Sequence, residues 1–186
     1  MAKVKAIPEE LVIKRMRLEN PWWNTGAIPA DVENMNRRLY YNQLYKQVHQ
    51  KKVRRATVLM GPRRVGKTIL LYHVIGGMLK DKVPQHKICY LSIDAPIYNN
   101  TSLEDLFAMC RKAVGDDNPD GYTVIFDEVQ YLKDWERHLK SIVDFFPKTT
   151  FVVSGSAAAA LKLKSDESGA GRFTDFLLPP LTFEEY

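Results

Sequence analysis

Residues 56–68, ATVLMGPRRVGKT, decide the fold. The short apolar run Ala56–Met60 reads as a buried strand. It leads into Gly61 to Thr68, which satisfies G-x-x-x-x-G-K-[ST] at every required position. Gly61 and Gly66 let the backbone turn its N–H groups inward with no Cβ in the way. The helix expected from about Gly66 to Lys80 points the positive end of its dipole at a bound phosphate. Lys67 is suited to pair with β- and γ-phosphate oxygens, and the Thr68 hydroxyl to ligate Mg²⁺ beside them. The expected cradle comprises Gly61, Pro62, Arg63, Arg64, Val65, Gly66, Lys67, Thr68 and Ile69. Arg63 and Arg64 fill variable positions, with side chains expected to point away from the nucleotide.

Outward from this loop, strands and helices alternate, the pattern of a parallel sheet with helical crossovers. Leu70, Leu71, Val74, Ile75, Met78 and Leu79 form one helical stripe. Further strands are expected at Ile88–Asp94, Tyr122–Glu128, Thr150–Gly155 and Arg172–Leu178. Helices are expected at Leu103–Val114 and along Leu132, Trp135, Leu139, Ile142, Val143 and Phe146. A short helix and the loop SDESGAG should precede the fifth strand. Upstream, a helix begins at Pro8 and fades by Asn20–Pro21, and a second spans about Asn36 to Gln50. NPWWNTGAIP, Asn20 to Pro29, reads as an irregular apolar connector. The domain reading is a helical extension, 1–50, packed on a core, 51–186.

The third strand ends TVIFDE. Such a strand delivers Asp127 to a magnesium shell at its C-terminal edge. Glu128 is then placed to polarise a water for attack on a γ-phosphate. Asp127 alone suffices for metal binding; the adjacent glutamate suggests hydrolysis. Ser154 and Ser156, in SGS at the end of the fourth strand, are candidates to contact the γ-phosphate or the attacking water. Arg172, which opens the fifth strand, is a candidate to stabilise transition-state charge, within the chain or across a subunit interface.

The chain has 186 residues, 45% hydrophobic and 26% charged, a composition typical of one globular domain. Its apolar runs are far short of the roughly 20 residues that span a bilayer, and MAKVKAIPEE lacks the apolar core of a secretory signal. Cys89 and Cys110 read as two reduced core thiols in a cytoplasmic protein. The net charge of +5 is uneven. Residues 1–56 hold 12 Lys+Arg against 5 Asp+Glu, densest in KKVRR, Lys51–Arg55. That segment is compatible with DNA or another anionic surface, and equally with a solvated face.

The ordered set NPWW, GPRRVGKT, IFDEVQ with a following Trp135, SGS, GR and LPPLTFEEY resembles the AAA-type predicted ATPases of bacteria and archaea, within the AAA+ superfamily. The resemblance covers about Asn20 to Tyr186. It implies a three-layer α/β/α sandwich with a five-stranded parallel sheet ordered 5-1-4-3-2. It also implies ATP with Mg²⁺, Asp127 at the metal and Glu128 as catalytic carboxylate. Ser154 or Ser156 falls at the sensor position, and Arg172, in the pair Gly171–Arg172, at that of an arginine finger and thus of self-association. Gln130 matches the family without a derivable role. Three departures stand out. Ile69 replaces a common second threonine, and Ala157–Ala160 replace serine-rich sequence. The helical C-terminal region of relatives is missing after TFEEY, from which slow turnover is expected.

Two functions from different classes follow. One is a Mg²⁺-dependent ATP hydrolase driving conformational change in a protein partner or a missing domain. The other is an ATP-dependent switch with little hydrolysis. A P-loop kinase fits less well, since the sequence shows neither acceptor site nor lid.

Overall fold

A computed structural model describes residues 7–49, 55–156 and 171–185. Most of the basic run at 51–55, the alanine run at 157–160, the short helix expected after the fourth strand and all of the loop SDESGAG but Gly171 lie outside the described residues.

Five strands form one parallel sheet: β1 (Ala56–Met60), β2 (Ile88–Ser92), β3 (Thr123–Asp127), β4 (Thr150–Gly155) and β5 (Phe173–Leu177). The order is β2-β3-β4-β1-β5, the order implied by the family resemblance. Helices α1 (Glu9–Glu19), α6 (Leu103–Val114) and α7 (Trp135–Phe145) cover one face. Helix α5 (Lys67–Lys80), with α2 (Trp22–Thr25), α3 (Ala30–Glu33) and α4 (Tyr41–His49), covers the other. The period-two alternation of each strand builds both cores. Val58, Met60, Cys89, Leu91, Val124, Phe126, Phe151 and Val153 face α6 and α7. Leu59, Ile88, Tyr90, Ile125 and Val152 face α5.

Glycines set the spacing of the second layer. A Cβ on Gly77 of α5 would strike the Tyr41 hydroxyl and sit 2.6 Å from the Tyr45 ring. Gly77 therefore lets α4 press directly on α5.

The connector Asn20–Pro29 is not merely irregular. It closes the open edge of β2. Alternate residues of that edge strand turn their backbone groups away from β3, and buried groups of this kind need partners. The buried Asn20 amide donates from Nδ2 to the Tyr90 carbonyl at 2.8 Å, and its Oδ1 accepts from the Tyr90 N–H at 2.7 Å. Trp22 and Trp23 both donate their indole N–H to the Ile88 carbonyl, at 3.0 and 2.7 Å. Glu19 accepts from the Ser92 N–H at 3.4 Å. Side chains of the NPWW segment thus replace a sixth strand.

Three other expectations change. The helix expected at Asn36–Gln50 begins only at Tyr41, because residues 36–40 leave helical geometry where Arg38 reaches the glycine loop. β3 stops at Asp127, since Glu128 turns left-handed (φ 55°). Cys89 and Cys110, expected as separate thiols, instead lie with their sulfurs against each other in the core, with Cα atoms 6.7 Å apart. The packing of α6 over β2 brings them together, a juxtaposition that a separation of 21 residues does not reveal. No helix among the described residues is long and apolar enough to cross a membrane.

Asn20→Ala should strand two buried backbone groups of Tyr90. We expect a stability loss of about 2–4 kcal/mol, seen as a lower urea midpoint with an unchanged slope. An unchanged midpoint would remove Asn20 from this role.

Candidate functional site

Three elements converge at the C-terminal edge of the sheet. The loop after β1 turns through Arg64 (φ 64°) and Gly66 (φ 86°), left-handed conformations that favour glycine at the second position. A Cβ on Gly61 would lie 2.5 Å from the Leu178 carbonyl, so the loop passes β5 too closely for any side chain. Arg63 and Arg64 are exposed and Val65 is buried. Lys67 opens α5, and its buried Nζ donates back to the carbonyls of Gly61 (3.2 Å) and Pro62 (2.9 Å). The backbone cradle, the helix N-terminus and this ammonium form a donor set suited to phosphate.

β4 lies between β1 and β3, pairing Leu59 with Ser154 and Phe126 with Val153. Asp127 and Ser154 therefore end neighbouring strands, on the face beneath α5. The buried Asp127 carboxylate is a hub. Its Oδ2 accepts from the Thr68 hydroxyl at 2.6 Å and from the Tyr90 hydroxyl at 2.8 Å. Its Oδ1 accepts from the Ser154 hydroxyl and from the Glu128 N–H, the latter at 3.1 Å. Thr68 and Asp127 together present adjacent hard oxygens, which fit Mg²⁺. Burial first, and then the Asp127 charge, push the Tyr90 phenol well above its ordinary pKa. Tyr90 is thus a fixed donor.

Glu128 adopts its left-handed turn because its N–H is held by both Asp127 and the Ser154 hydroxyl, the latter at 3.0 Å. Strained positions of this kind persist where neighbours over-determine them. One carboxylate oxygen lies 4.0 Å from Lys67 Nζ. The other accepts from the Gln130 amide, whose Oε1 in turn accepts the Ser156 N–H at 3.2 Å. Gln130, matched by the family pattern without a role, thus bridges the end of β4 to the Glu128 side chain.

The structure brings Gly61, Gly66, Lys67, Thr68, Asp127, Glu128 and Ser154 together. Ser154 turns its hydroxyl to Asp127 and the Glu128 backbone, and Ser156 reaches the cluster through its backbone. Arg172 is elsewhere. It precedes β5, so the length of a five-residue strand, roughly 16 Å, separates it from the glycine-loop edge. There its Nε–H is shared between the two carboxylate oxygens of Asp144 of α7, at 2.8 and 2.9 Å. The within-chain alternative for Arg172 does not fit this placement. A cleft of about 420 Å³, lined by Gln47, Thr57, Tyr122 and Lys148, shares no residue with the cluster.

Sequence reasoning missed Tyr90. Its signal was a phenol in a buried strand, ICYLS, since a buried hydroxyl needs a partner. It also missed Arg38 and Glu185, whose meeting across 147 residues leaves no local trace.

A family model described as an AAA domain matches residues 53–186. The chain belongs to the AAA domain family. Among curated relatives, the uncharacterized protein MJ1637 of Methanocaldococcus jannaschii is 29% identical over 133 residues, spanning 69% of this chain and 27% of that protein. An uncharacterized protein of Haemophilus influenzae is 25% identical over 130 residues, spanning 69% of this chain and 32% of that protein. The chain therefore spans about a third or less of these relatives. Among solved structures, the Pif1 helicase from Candida albicans aligns at a TM-score of 0.50 and 15% identity, over 80% of this chain and 41% of that one. That likeness concerns the fold. This AAA domain thus carries a P-loop nucleotide-binding architecture.

Tyr90→Phe should leave Asp127 Oδ2 with Thr68 alone. We expect about 1–2 kcal/mol of lost stability, measured by urea denaturation. No change would show that the phenol contributes nothing to holding the carboxylate.

Proposed function

We propose that this AAA domain binds and hydrolyses ATP with Mg²⁺. The observation that carries the reading is the placement of the Glu128 carboxylate, 4.0 Å from Lys67 Nζ and beside the Thr68–Asp127 pair. In this reading the loop amides and Lys67 bind the β- and γ-phosphates. Thr68 and Asp127 hold Mg²⁺, which supplies charge neutralisation on the phosphate oxygens. Glu128 orients a water and accepts its proton as the water oxygen bonds to the γ-phosphorus. The bond from that phosphorus to the β-bridging oxygen breaks, leaving ADP and inorganic phosphate. Gln130 keeps the Glu128 carboxylate aimed, and Ser154 keeps its backbone turned.

Ser154 acts here by fixing the two acidic residues rather than by touching phosphate. Arg172, on the far edge, serves hydrolysis only by entering the site of a second copy, so it belongs to a self-association reading. Coupling to a protein partner is part of the same proposal, and contact with DNA through residues 51–55 is a separate one. The switch reading differs only in turnover, and the orientation of Glu128 favours hydrolysis over it.

Glu128→Gln keeps the hydrogen-bonding shape and removes the proton acceptor. We expect ATP affinity within a factor of about two and phosphate release slowed by about 100-fold or more. Equal phosphate release by the two proteins would assign catalysis to another group. Lys67→Ala should abolish measurable binding of a fluorescent ATP analogue, whereas retained binding would place the phosphates elsewhere.

A further inference from the structure

Arg38 is a buried arginine, 7% exposed, in a stretch without regular secondary structure. Its guanidinium spreads over three separate parts of the chain. Nη1 donates to the carbonyl of Val65, inside the glycine loop. Nη2 donates to the Pro179 carbonyl at 3.0 Å, just after β5. Nε and Nη2 fork onto the Glu185 carboxylate at 2.6 and 3.0 Å. Glu185 also accepts the backbone N–H of Leu39 (3.0 Å) and of Thr182 (3.1 Å). Its side chain is 4% exposed. Arg38 holds the Glu185 carboxyl far below its ordinary range, at about 2, so that carboxylate stays ionised near neutral pH.

We infer that Arg38, oriented by Glu185, is a positioning residue that clamps the phosphate loop and ties it to the segment 179–185. A loop that cradles phosphate must turn its N–H groups inward and its carbonyls outward. The Val65 carbonyl is one of those outward groups, and Arg38 holds it there. A planar fork with several donors does this, and a lysine ammonium does not. The energy is shared with Pro179 and Glu185, so release of residues 179–185 loosens the loop. By reciprocity, phosphate in the loop tightens the docking of residues 179–185. The family motif LPPLTFEEY thereby gains a function: its Glu185 reports on, and acts on, the nucleotide loop.

The test uses two measurements. Arg63 and Arg64 are exposed tryptic sites flanking the clamped Val65. Limited trypsinolysis of the nucleotide-free protein, followed by mass spectrometry, should show several-fold faster cleavage at residues 63–64 in Arg38→Met and Glu185→Gln. Cleavage at Lys112 on α6 should stay unchanged and controls for unfolding. Glu185→Gln preserves shape if Arg38→Met fails to fold. Arg38→Lys should not restore protection, whereas a merely space-filling role would let it. The second measurement is affinity for a fluorescent ATP analogue, expected to weaken about tenfold in both variants, the scale of one charged hydrogen bond. This arm rests on the nucleotide reading above; the tryptic arm does not. Unchanged cleavage at 63–64 in both variants overturns the clamp. Faster cleavage there in a protein that never binds the analogue supports the clamp and removes the nucleotide reading instead.

Discussion

The Asp127 carboxylate is the constraint on which the rest of the site depends. A buried charge is tolerated only when hydrogen bonds satisfy it. Thr68, Tyr90, Ser154 and the Glu128 backbone supply four donors, from α5, β2, β4 and the turn after β3. Satisfying one carboxylate therefore locks three strands and a helix N-terminus in register. The same contacts force Glu128 into the left-handed turn that sends its side chain toward Lys67. The bonds that satisfy Asp127 thus also set the direction of the Glu128 side chain.

The hub is itself supported from the sheet edge. Tyr90 donates its hydroxyl to Asp127, while its backbone is paired by the Asn20 side chain. A displacement of the NPWW segment would reach the Asp127 carboxylate through one residue. On the other side of the site, Arg38 and Glu185 hold the glycine loop through Val65. Residues before β1 thus brace both halves of the site. The N-terminal segment is part of the machinery that shapes the loop and the carboxylate, although most of it precedes the matched AAA domain.

Much of this was legible in the sequence, for reasons that are local. The glycine spacing, the apolar strand ending Asp127–Glu128 and the period-two runs each encode their own geometry, and the fold class followed. The sheet order came through family resemblance, since strand order is a long-range property that alternating strands and helices do not specify. What was illegible depends on distant partners. Asn20 pairs with a strand 70 residues away and Arg38 with a carboxylate 147 residues away. Neither Asn nor Arg carries a local mark of that pairing. For Arg172 the position next to a strand was clear, but which end of the sheet it marked followed only once β5 was seen running parallel beside β1.

The central claim is that the glycine loop and the Asp127 hub together hold a nucleotide triphosphate for attack by water. A crystal structure of this chain with a non-hydrolysable ATP analogue and Mg²⁺ tests it most directly. The account predicts the metal at the Thr68 hydroxyl, close to Asp127, and the Lys67 ammonium moved from the Gly61 and Pro62 carbonyls to the β- and γ-phosphates. It also predicts a water between the Glu128 carboxylate and the γ-phosphate. A bound analogue with its phosphates outside the loop, or with Glu128 turned away from the γ-phosphate, would contradict it.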